Sequence, residues 1–74
     1  MARYFFHIDG ESPYRDEIGV ELADDRAAWR EAKQLARDIE DHLSPGRHWH
    51  LLVCEGETPV YRVAVTTECW RPKI

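Results

Sequence analysis

No apolar run in this chain approaches the ~20 residues that a membrane-spanning helix needs, so no helical span is expected. Cysteine is scarce: Cys54 and Cys69 are the only two, too few for a disulfide scaffold. The four glycines and four prolines punctuate turns and form no glycine-rich loop that could cradle a phosphate. Basic side chains are outnumbered, ten against fourteen acidic, for a net charge of −4. A nucleic acid or an anionic membrane recruits positive charge, so direct binding to either is not expected. Residues 1–7 (MARYFFH) show no apolar stretch followed by a small-residue cleavage site, which points to a cytoplasmic protein with reduced thiols.

What is present fits one domain over residues 1–74. A chain of this size has a core worth only roughly 3–5 kcal/mol after entropy is subtracted. Association with a second chain is a common way to add to so little, and a partner, either another copy or another protein, is expected.

Residues 3–8 alternate in the manner of a strand, with Tyr4, Phe6 and Ile8 on one face and Arg3, Phe5 and His7 on the other. Asp9-Gly10 reads as a hairpin signal, and Pro13 delays the return. Asp16-Glu17-Ile18-Gly19 suits a turn before a short strand at Val20-Glu21-Leu22. Asp24 suits a helix N-cap. Behind it Ala28, Ala32, Leu35, Ala36, Ile39 and Leu43 form one apolar stripe, bordered by Trp29 and ended by Ser44-Pro45-Gly46. Residues 48–54 and 60–66 alternate again and read as a hairpin, with Trp49 opposite Val65, Leu51 opposite Val63 and Val53 opposite Tyr61. In that register Cys69 lies about 30 Å from Cys54, beyond disulfide reach.

The expected architecture is α+β: a small two-layer domain of element order β-β-α-β-β, one helix packed on one face of an antiparallel sheet. Its expected core is Tyr4, Phe6, Ile8, Val20, Leu22, the helix stripe, Trp49, Leu51, Val53, Tyr61, Val63 and Val65. One helix cannot cover both faces. The face left over carries Phe5, His7, His48, His50, Leu52, Cys54, Val60, Arg62 and Ala64. A mixed aromatic, aliphatic and histidine patch of this kind serves association more often than catalysis. Phe5, His7, His48, His50, Leu52 and Arg62 are the expected partner-binding residues.

Other chemistry finds less support. His48 and His50 project the same way about 7 Å apart, and with Cys54 they are the best candidates for zinc ligands. They lack a second spaced pair, so neither a metal nor any other cofactor is expected. Ser12, Ser44 and Thr58 sit beside prolines without a nucleophile elbow. Cys54 and His50 are about 13 Å apart along an extended strand, too far for proton transfer. No enzymatic activity is expected. The acidic stretch Asp9, Glu11, Asp16, Glu17, Glu21, Asp24 and Asp25, relieved by Arg15 alone, reads either as a solvated edge or as a surface for a basic partner.

The sequence Arg3-Tyr4-Phe5-Phe6-His7, followed by Asp9-Gly10, Asp16-x-x-Gly19, Leu22 and Asp24, resembles a family of short uncharacterised bacterial proteins. Ala27-Ala28, Glu31-Ala32 and Trp49-x-Leu51-x-Val53 match its helix and its third strand. The resemblance covers nearly the whole chain. The family is a domain of unknown function, so no site residue follows from it. A looser likeness, in the hairpin, acidic turn and Ala/Glu-rich helix, is to HicB-type antitoxins, without the DNA-binding segment those usually carry. It implies an alternative, an acidic inhibitor or antitoxin-like binder of a nucleic-acid enzyme.

Overall fold

The computed structural model describes residues 1–10 and 13–71; Glu11 and Ser12, singled out above, lie outside the described residues. Five elements follow the expected order: β1 (Ala2–Gly10), β2 (Val20–Leu22), α1 (Asp25–Glu40), β3 (His48–Glu55) and β4 (Thr58–Thr66). The strands form one antiparallel sheet in the order β2-β1-β3-β4. The long strands β1 and β3 thus lie at the centre, and α1 crosses a single face.

The hairpin register is as the alternation requires: Trp49 pairs with Val65, Leu51 with Val63 and Val53 with Tyr61. On the other side of β3, Phe6 pairs with Val53 and Ile8 with Leu51. Cross-strand partners share a face. The rows so formed press Tyr4, Phe6, Trp49, Leu51 and Val53 against Ala28 and Ala32 of the helix, all of them buried. Small alanines at the contact let the helix lie close to a sheet face of large side chains. Larger stripe residues (Leu35, Ile39 and Leu43) flank them half-buried. Trp29 caps the border as expected, tilted on Tyr61 at 5.1 Å between ring centroids. Among the described residues, the Trp49 indole N–H is buried without an acceptor.

The helix begins as its sequence dictates, Asp24 accepting from the Ala27 N–H at 2.9 Å. Tyr4 ties this end to β1: its hydroxyl donates to Asp25 Oδ1 at 2.6 Å. That bond, with burial and the nearby carboxylates of Asp25, Glu55 and Asp24, pushes the phenol up to about 12. The far end stops sooner than the apolar stripe. After Glu40 the bonds tighten to three-residue spacing, His42 N–H to the Ile39 carbonyl and Leu43 N–H to the Glu40 carbonyl, and Leu43 packs from outside the helix. The early stop leaves a groove of about 450 Å³ floored by Ile8, Leu35, Ile39, Leu43 and Trp49.

Four expectations need correction. Asp9-Gly10 is not a two-residue hairpin loop, because both residues continue β1 against His50 and Trp49. The chain comes back only at Tyr14, which exchanges two 2.8 Å backbone bonds with Ile8. Val20 is exposed rather than core, since β2 is a three-residue edge strand. A bulge between Val53 and Cys54 shifts the register, so that Val60 packs against the core side instead of the helix-free face. Cys54 keeps its expected side, opposite Phe5, but is buried at 5% exposure rather than open. Cys54 and Cys69 are both free thiols, and Cys69 lies beside Gly46 as the hairpin register demands.

Candidate helix-free sheet face

The residues expected to bind a partner come from three strands, and the ladder puts them in rows. His7, Leu52 and Arg62 are cross-strand neighbours. Asp9, His50 and Ala64 form the next row, and His48 stands opposite Thr66 beyond it. Phe5 lies beside Cys54 at the other end. The alternation therefore brings Phe5, His7, His48, His50, Leu52 and Arg62 onto one surface. Phe5, His7, His50 and Leu52 are half-buried, whereas His48 and Arg62 are exposed. Among the described residues no secondary-structure element crosses this face.

Order is imposed on its first strand by a loop that the acidic stretch supplies. Asp16 Oδ2 accepts from the Phe6 N–H at 3.2 Å, and Oδ1 accepts from the N–H groups of Ile18 and Gly19 at 3.1 and 3.0 Å. The Asp16 N–H in turn donates to His7 Nδ1 at 3.1 Å. With Nδ1 accepting, the neutral ring carries its proton on Nε2. That ring stacks on Phe5, with centroids 6.4 Å apart and planes 13° from parallel. Beside the pair is a hollow of about 400 Å³, bordered by Arg15, Asp16 and Glu57. A second, of about 410 Å³, lies at the far end between Asp9, His48 and His50.

Burial of the Asp16 carboxylate favours its protonated form. The backbone donors of Gly19, Phe6 and Ile18 more than offset this and hold its pKa below the usual carboxylate value. Its contribution to stability is therefore complete above the unfolded value of about 3.9 and is lost as pH falls through the lower folded one. Asp16→Asn keeps the shape but replaces one accepting oxygen by an amide. It is expected to cost about 1–2 kcal/mol at neutral pH. In urea titrations the gap to wild type should close below about pH 4; a gap independent of pH would mean that the carboxylate charge plays no part.

Metal ligation finds no geometric support: among the described residues no three His, Cys, Asp or Glu side chains converge as a metal site. His48 and His50 point outward while Cys54 is enclosed two steps on. The acidic stretch is largely employed in the fold. Asp16 holds the loop, Asp24 caps the helix, Asp25 receives Tyr4, and Glu21 pairs with Arg3 at 3.3 Å. The Asp16–His7 link was missed by sequence reading, which saw only a turn; the one available signal was Asp16 three residues before Gly19, where a side chain can bond the turn's own N–H groups.

No helix among the described residues is long and apolar enough to cross a membrane. No curated protein and no solved structure matches the chain, HicB-type antitoxins included. A family model does match, over residues 3–66, which takes in every strand, the helix and the whole helix-free face. The chain belongs to the family described as a domain of unknown function, DUF6894.

Proposed function

We propose that this chain is a non-enzymatic, cytoplasmic protein-interaction module that uses its helix-free sheet face to hold a second copy or another protein. The supporting observation is that face itself: Phe5, His7, His50 and Leu52 stand half-buried in ladder rows with no helix or strand above them among the described residues, the Asp16 loop bracing Phe5 and His7 from one side. Apolar and aromatic surface exposed in such a row gains free energy when covered, in proportion to the area removed from water. The loop held by Asp16 fixes the Phe5–His7 pair in advance, which lowers the entropy lost on docking.

The acidic-inhibitor alternative has less behind it, because four of the carboxylates it would use, Asp16, Glu21, Asp24 and Asp25, already serve the fold. The two readings differ in salt dependence: an acidic docking surface weakens steeply with ionic strength, an apolar one does not.

His50→Asp places a charge in the middle of the face, where desolvating it is costly. In native mass spectrometry of untagged protein from its own cells, the wild type should carry mass beyond the 8.7 kDa of one chain. The variant should shed whatever is held through this face. A variant with the wild-type masses throughout overturns the reading.

A further inference from the structure

The two edges of the sheet are built differently. On one side the edge strand β2 has only three residues. On the other, β4 has nine residues and, among the described residues, no strand beyond it. Strand edges expose unpaired N–H and C=O groups that template another strand, and proteins usually blunt them by shortness, charge, proline or bulges. The edge of β4 is blunted only at its start, by Pro59 and the bulge that follows. From Tyr61 to Thr66 it runs regular, β-branched or small except for Tyr61 and Arg62, with Arg62 its single charge. The helix does not shield it, because α1 packs on the face of the sheet. Just after β4 the chain still runs alongside the residues before β3, Thr67 donating to the Arg47 carbonyl from both N–H and hydroxyl.

We infer that this edge pairs antiparallel with the β4 edge of a second copy, about a two-fold axis at Val63, to give one continuous eight-stranded sheet. The register comes from the strand: past the bulge its core-side residues are Tyr61, Val63 and Val65, with Val63 in the middle. Centred there, Val63 meets Val63, Tyr61 meets Val65 and Arg62 meets Ala64. Apolar side chains then oppose apolar ones on the helix side. Shifting the axis by one residue, to Arg62, would set two guanidinium groups against each other. An axis perpendicular to the sheet leaves both helices on one side and joins the two helix-free faces into one surface. The inference thus rests on the self-association half of the proposed function and assigns that contact to the edge, while the face stays open to a partner.

Ala64 is exposed, so a charge there does not disturb the core. Ala64→Lys sets two symmetric Lys–Arg62 repulsions across the edge and should weaken the dimer about tenfold. Arg62→Glu combined with Ala64→Lys converts both contacts to attractions and should restore wild-type dissociation to within about threefold. Sedimentation of both variants beside wild type and His50→Asp reads this directly, with His50→Asp expected to keep the edge dimer. A monomeric wild type, a dimer indifferent to Ala64→Lys, or a double variant that fails to recover overturns the edge contact. If His50→Asp dissolves the dimer and Ala64→Lys does not, the edge contact is refuted while the face reading stands. A dimer that responds only to the residue 62 and 64 charges supports the edge and removes self-association from the face.

Discussion

Leu51→Ala is expected to leave most of the protein unfolded at room temperature. Leu51 has no exposed surface and sits at the middle of the central strand β3, with Ile8 on one side and Val63 on the other. Its truncation removes apolar contacts and leaves a cavity that rigid neighbours fill only in part, at a cost of about 2–5 kcal/mol. A domain of this size has roughly 3–5 kcal/mol in hand. The loss therefore matches the total, where in a larger protein it would merely lower a melting point. Leu52 is the control. The same truncation one residue further acts on the opposite face, at a half-buried side chain with no helix above it, and should cost under about 1.5 kcal/mol. Circular dichroism through a urea titration separates them: no folded baseline for Leu51→Ala, a modestly lowered midpoint for Leu52→Ala. Equal midpoints would mean that the helix-covered face is not where the stability resides.

That contrast between adjacent residues was legible in the sequence, because strand alternation carries it. The pattern in 48–54 and 60–66 determined both the pairing of β3 with β4 and the membership of the helix-free face. The helix was legible for a similar reason: Asp24 and the alanine-lined stripe agree on where it begins and which side it buries. Less visible were features that depend on distant partners. Val20 looks like core from its own strand, yet its exposure follows from where β2 lies in the sheet. The bulge at Val53/Cys54 adds one residue to β4 and changes the side to which Val60 belongs, and no local propensity announces it. Likewise Asp16 reads as a turn residue, while its bonds to Phe6 and His7 reach across to another strand. The candidate site was thus found by periodicity, and its internal bracing was not.

Gly10 shows how far local reading can mislead, and its replacement is the second large effect expected. Next to Asp9 it suggests a tight turn, but its backbone, at φ +145°, is in the last position of β1, facing Trp49. A Cβ at residue 10 would lie 2.8 Å from Trp49 Cβ, 2.9 Å from the His48 carbonyl oxygen and 3.0 Å from Trp49 Cα. Two of these atoms are backbone of β3 and the third is fixed to it, so no side-chain rotation relieves the contact. Trp49 is itself buried and holds one end of the core. Gly10→Ala must therefore strain residue 10, at about 1–3 kcal/mol, or part β1 from β3 beneath the tryptophan. Gly56, in the β3–β4 turn, provides the comparison. It too has positive φ, +61°, but nothing lies within 4 Å of where its Cβ would be. Asparagine tolerates that left-handed conformation, so Gly56→Asn should cost under about 1 kcal/mol. Thermal unfolding followed by tryptophan fluorescence should show Gly10→Ala melting far below wild type and Gly56→Asn close to it. If both variants melt alike, the close approach of β1 to Trp49 is not what requires glycine at position 10.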